Sequence, residues 1–176
     1  MQNSKLFTSG IMLAIVGVVL FSAKAVMVKL AYQYDTSTAH LLLFRMLFSL
    51  PFYIAIVCVK KTSLSIKIKS SDYLWLLFFG FIGYYLASYF DFLGLHYIKA
   101  GLERIILFIY PTLVLIISKI FLKKSITNQQ IFAIIITYLG VVVSFWGELH
   151  FEASNLAIGG FLIFMSALTY AMYIVG

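Results

Sequence analysis

Charge is scarce in this sequence, and that scarcity sets the class of protein. Only 11% of the 176 residues are charged and 63% are hydrophobic, whereas ordinary soluble domains carry roughly 25% charged residues. A soluble domain of this size has to clothe its surface in polar groups, and these residues cannot supply the covering. A bilayer removes the requirement. Cysteine is limited to Cys58, which excludes an internal disulfide and leaves the redox compartment unread. Proline is limited to Pro51 and Pro111. Both lie inside apolar runs, where each removes a backbone donor and crowds the preceding turn, so each helix is expected to bend or break there. Enzyme signatures are missing too: there is no H-E-x-x-H, no G-x-S-x-G and no phosphate-cradling glycine loop. His40, His96 and His150 are scattered without metal-ligand spacing. Neither catalytic residues, nor a metal, nor a cofactor is expected.

What is present is a succession of apolar runs. A bilayer core takes about 20 apolar residues per helix, and six segments qualify: Gly10 to Tyr32, Thr38 to Val59, Tyr73 to Leu95, Leu102 to Leu122, Gln129 to Trp146, and Leu156 to Gly176. The reading is an all-α polytopic transmembrane bundle of about six spans. Cap residues precede three of them, as Ser70-Ser71-Asp72, Thr127-Asn128 and Ser154-Asn155, each offering side-chain oxygens to unpaired first-turn amides. A cleavable signal peptide competes for the first run, with Lys5 as its charged start and Ala23-Lys24-Ala25 as its cleavage site. The apolar segment continues beyond that site and five more follow, which argues against cleavage.

The net charge of +7 is not read as a nucleic-acid surface, because the basic residues fall in short clusters between spans. One side collects eight: Lys5, Lys60, Lys61, Lys67, Lys69, Lys119, Lys123 and Lys124. The other holds three, Lys29, Lys99 and Arg104, with Asp35, Glu148 and Glu152. The excess of lysine places the first side, and with it the N-terminus, in the cytoplasm.

Small residues that permit close helix approach recur as Gly10, Ala14 and Gly17 in span one and as Gly80, Ala87 and Gly94 in span three. Span five carries Ala133, Thr137, Gly140, Ser144 and Gly147. Charges inside the spans are costly, at about 2.5 to 3.5 kcal/mol each near a helix centre. Lys24, Arg45, Asp91 and the pair Glu103-Arg104 are therefore singled out. At about 1.5 Å per residue, Lys24 and Arg45 fall roughly 5 Å outside the midplane, Asp91 about 10 Å out, and Glu103 near the external surface. Lys24 continues the Gly10–Gly17 face and Asp91 the Gly80–Ala87 face, so both are expected to point into the bundle. Asp91 is expected to neutralise Arg45 or Lys24, as a structural pair, as part of a permeation path, or as both.

At Phe44-Arg45-Met46-Leu47, Ala87 to Ile98, Ala100-Gly101-Leu102-Glu103-Arg104 and Tyr110-Pro111-Thr112 the sequence resembles the EamA family of the drug/metabolite transporter superfamily, over nearly the whole chain. The resemblance implies part of a ten-helix fold of two inverted five-helix repeats, with a central cavity worked by alternating access. Residues 1–150 would be the first repeat and 151–176 the first helix of a truncated second one. It implies a secondary transporter of a small metabolite in the bacterial inner membrane. The path or charge network would take in Lys24, Arg45, Asp91, Glu103, Arg104 and Tyr110, with kinks at Pro51 and Pro111. The lipid bilayer and an unidentified small molecule are the expected partners. The alternative is a non-transporting scaffold or half-unit that needs a second chain. Six spans where a repeat has five, together with a sixth-span small face of Gly160, Ala167 and Ala171 that needs a partner helix, lead to the expectation of an incomplete chain. An intact relative would run on for about 110 to 130 residues. Alone, the chain is expected to be unstable in detergent or to self-associate.

The orientation is testable. A topology reporter fused after Lys61 or Lys124 should read cytoplasmic, and one after Glu148 external; external signal at the lysine clusters would reverse the assignment.

Overall fold

A computed structural model describes residues 2–59, 69–146 and 153–176. Lys60, Lys61, Lys67, Gly147, Glu148, His150 and Glu152 lie outside the described residues. Among those described there are helices and no strands. The first span is α1 (Gln2–Tyr32) and the second α2 (Thr38–Val59). The third consists of α3 (Ser70–Gly80), a π-helical turn over Phe81–Leu86 and α4 (Ala87–Tyr97). The fourth is split into α5 (Ala100–Leu107) and α6 (Tyr110–Phe121), and α7 (Asn128–Phe145) and α8 (Ala153–Val175) follow. Five helical stretches are long and apolar enough to cross a membrane, and α7 is an apolar helix shorter than these over its described residues. The polytopic all-α bundle read from the sequence is the fold.

The caps obey local chemistry in one case of three as read. At α7 the Thr127 hydroxyl accepts from the Gln130 amide at 3.3 Å, and Gln130 Oε1 accepts from the Thr127 amide at 2.9 Å, a reciprocal capping box. At α3 the cap position is Lys69, so Ser70 and Ser71 already lie in the helix. Asp72 reaches back instead, its Oδ2 accepting from the Lys69 amide at 3.0 Å. Helix α8 starts at Ala153, which puts Ser154 and Asn155 inside the first turn rather than before it.

The two prolines behave differently. Helix α2 runs through Pro51 without a break. At Pro111, which has no N–H to give the Leu107 carbonyl, the fourth span parts. Phe108 and Ile109 close the first piece with bonds to Arg104 and Ile106, at 3.0 and 3.1 Å, and Ile109 opens the second by accepting from Leu113 at 3.1 Å. Pro111 thus sits in the first turn of α6, where its fixed φ suits a helix start.

Packing is uneven along the spans. The C-terminal half of α1 and the start of α2 meet α4 in a core of Ala25, Val28, Leu42, Phe92 and Leu95. Toward the opposite end the same helices part: Val16, Val18, Val19, Leu20 and Phe21 are all more than half exposed, as are Phe52 and Val57 of α2. In water that exposure would be ruinous, whereas in lipid it is the correct outer surface. Helix α8 instead packs against the π turn and α4 of the third span and onto both pieces of the fourth, so the partner that the sixth span needed lies within the chain. A Cβ built on Gly94 would meet Ile163 Cδ1 at 2.5 Å and the Gly159 carbonyl at 3.2 Å, and one on Gly159 would meet the Gly94 carbonyl at 3.3 Å.

Two small-residue stripes are corrected. Gly10, Gly17 and Gly140 have nothing within 4 Å of an added Cβ, and Ala133, Thr137 and Ser144 are exposed. The inward face of α7 is Ile134, Tyr138 and Val141, and it is fastened to α6 by a 2.7 Å hydrogen bond between the Tyr138 and Thr112 hydroxyls. In span six the buried small residues are Gly159, Ser166, Ala167 and Ala171, with Gly160 only half-buried.

Since the crossing at Gly94 and Gly159 is backbone against backbone, Gly94→Val should destabilise the fold by about 1–3 kcal/mol. Gly17→Val and Gly140→Val should leave it unchanged. Thermal melts in one detergent would show this as a lowered midpoint for the first variant alone.

Candidate functional site

Two buried carboxylates and a partly buried ammonium meet near the tightly packed end. The loop between α4 and α5 is only Ile98 and Lys99, so the third and fourth spans form a hairpin. Asp91 lies seven residues before that loop and Glu103 four residues after it, its amide bonded to the Lys99 carbonyl at 3.1 Å. Both carboxylates therefore sit one to two turns below the loop. From α1, Lys24 Nζ reaches between them. It forms an ion pair with Asp91 Oδ2 and a second with Glu103 Oε1 at 3.1 Å. The side chains of Lys24, Asp91 and Glu103 are 17%, 7% and 1% exposed. The Phe21 and Phe92 rings stand 5.5 and 6.0 Å from the ammonium, so its remaining surroundings are apolar with π faces turned to the charge.

Of the two partners expected for Asp91, the geometry selects Lys24. Arg45 instead donates to the Ser88 hydroxyl at 3.0 Å and lies 5.5 Å from the Phe92 ring. Arg104, next to Glu103, points away and donates to the Ser22 carbonyl of α1. Glu103, placed near the external surface by counting residues, is among the most buried side chains described. Residue counting gives only the height of a backbone position, and here the hairpin turns that position inward. Beside the charges, the Tyr32 hydroxyl donates to the Phe92 carbonyl at 2.8 Å and shares a 2.9 Å hydrogen bond with the Thr38 hydroxyl, joining α1, α2 and α4.

A second group lies deeper. The π turn has 11 α-helical residues on each side, which puts Tyr84 at the middle of the third span. Tyr110 follows the break in the fourth. Both meet α8: Tyr84 is edge-on to Tyr173 at 6.0 Å between centroids, and Tyr110 edge-on to Tyr170 at 5.7 Å. Tyr170 and Tyr173 are themselves 6.1 Å apart, and Tyr53 of α2 neighbours Tyr84. Gly83 in the π turn is where the Tyr173 ring rests, since a Cβ there would overlap it. Of this set the sequence reading assigned only Tyr110 to the path. The available signal was position: tyrosine favours the membrane interface, so tyrosines at span centres stand out.

A family model described as the EamA-like transporter family matches residues 8–146. Among curated proteins, the "Uncharacterized transporter YcbK" of Bacillus subtilis (strain 168) is 28% identical over 169 residues, which is 95% of this chain and 54% of that protein. An "Uncharacterized transporter" of Archaeoglobus fulgidus is 38% identical over 77 residues, 44% of this chain and 28% of its own length. The chain thus spans about half the length of the first relative and less of the second. No solved structure matches it.

The ion-pair geometry sets a mutational order. Lys24→Met strips both carboxylates of their cation and should cost about 3–5 kcal/mol, the usual penalty for breaking a buried pair. Adding Asp91→Asn and Glu103→Gln to Lys24→Met should recover folded yield, whereas adding Arg45→Gln to it should recover none. Size-exclusion profiles of the variants would measure the order.

Proposed function

The chain belongs to the EamA-like transporter family, and on that footing we propose that it carries the first half of a secondary transporter that moves a small metabolite by alternating access in the bacterial inner membrane. The observation that carries this reading is the pair of interrupted helices at mid-span. A π turn and a proline break both expose irregular backbone within the membrane, which is tolerated only where it meets protein or a water-lined path. Discontinuous helices near the midplane are where such transporters bind their substrates. Tyr84 and Tyr110 stand at the two interruptions, and Tyr170 and Tyr173 join them through α8. The hydroxyls suit a polar solute and the rings its apolar portion.

In this reading the lysine excess sets the packed end outward, and the Lys24–Asp91–Glu103 cluster, with Arg45 and Arg104, closes the external mouth over the tyrosines. The cytoplasmic halves of α1 and α2 stand apart and leave the path open below. Residues 1–150 are one five-helix repeat, and 151–176 are the opening helix of its inverted counterpart. The Bacillus relative, of which the match covers 54%, supports both the compartment and a larger working unit. It also favours the second reading, a half-unit that carries substrate only when joined to a second repeat.

Reconstituted vesicles separate these readings. The chain co-reconstituted with a second five-helix repeat should show saturable uptake from a panel of small metabolites. Tyr84→Leu and Tyr110→Leu should raise KM about tenfold, equivalent to about 1.4 kcal/mol of binding, without loss of folded protein. Flux from no arrangement would leave the scaffold reading standing.

A further inference from the structure

The two ion pairs do not account for the whole of the charge cluster. Asp91 Oδ1 and Glu103 Oε2 are buried and have no hydrogen-bond partner among the described residues. Two carboxylates against one ammonium sum to −1. The other nearby cations are engaged elsewhere, Arg104 with the Ser22 carbonyl and Arg45 with Ser88 and the Phe92 face. The Tyr32 hydroxyl is taken by Phe92 and Thr38. Helix α8, which packs against α4 and α5, contains no charged residue at all. An uncompensated charge in such a place is strongly disfavoured, and so is a carboxylate oxygen with nothing to accept from.

We propose that the cluster is a binding site for one proton, held by the Asp91–Glu103 carboxylate pair. Both carboxyl groups hold the same Lys24 ammonium, which keeps them side by side. A single proton then makes the cluster neutral with Lys24 still paired, and it gives one of the two carboxyl groups a hydroxyl able to donate. Larger ligands do not fit the chemistry. Glu103 is 1% exposed, and a metal cation would need about six oxygen ligands beside an ammonium that already occupies the centre. No group of three or more metal-binding side chains occurs among the described residues. Loss of the proton restores the net charge and both unsatisfied oxygens, and it sets the Asp91 and Glu103 carboxylates in repulsion across the α4–α5 hairpin.

The proposal stands apart from transport and is read on the purified full chain by infrared titration from about pH 5 to about pH 9. The remaining acidic residues, Asp35, Asp72, Glu148 and Glu152, lie between or at the ends of apolar runs, where water solvates their charge. The expected result is a protonated-carboxyl C=O band that persists at pH 7, corresponds to one group per chain and shifts in heavy water. Asp91→Asn or Glu103→Gln alone should abolish it, because either one neutralises the cluster without a proton. Absence of the band in the wild type at pH 7, or its survival in both variants, overturns the proposal. So does its loss on adding sodium chloride at fixed pH, which would assign the site to a metal cation. Should a variant fail to fold, the wild-type band and its indifference to sodium decide the matter.

Discussion

Among the described residues, the ammonium of Lys24 is the one charge on which three spans converge. It enters from α1 and meets one carboxylate on each arm of the α4–α5 hairpin. Apolar side chains in lipid gain little from touching one another, because the tails they displace are equally apolar. Close packing and polar contacts must therefore hold such a bundle together. Around Lys24 the two coincide: Ala25 and Val28 pack on Phe92 and Leu95 within a turn of the ion pairs, and the Tyr32 hydroxyl adds α2 through Thr38. Farther along α1 there is no comparable polar contact among the described side chains, and the helix stands free.

How much of this was legible in the sequence depended on what each signal measures. Length and hydropathy report the bilayer, and they gave the spans to within a few residues, because a membrane core fixes the number of apolar residues in a helix. The cost of burying charge singled out Lys24, Asp91 and Glu103, and helical periodicity turned Lys24 and Asp91 inward. Choosing between Lys24 and Arg45 as the partner of Asp91 needed the crossing of α1 over the hairpin, which no single helix encodes. The small-residue stripes misled for the same reason. A glycine permits close approach, but a neighbouring helix has to be there, and beside Gly17 and Gly140 none is.

The two helix interruptions show the same division. Pro111 is visible as a breaker, yet Pro51 is the same residue in an equally apolar run, and α2 does not part there. The π turn has no such marker: Phe81–Leu86 reads as ordinary apolar helix, and the extra residue in its turn accompanies the seating of Tyr173 on Gly83. What the sequence shows is a tyrosine at the centre of a span, a place where its hydroxyl has no lipid partner.

The crossing of Gly94 and Gly159 has a mechanical consequence. Each backbone lies in the other's groove, with Ile163 and Ile98 closed over the contact, so neither helix can slide or roll without driving a carbonyl into a side chain. Helices α4 and α8 are therefore locked together at this crossing. Among the described residues, α1 and α2 are moored at one end only, so any rocking about this rigid crossing has to be taken up by them.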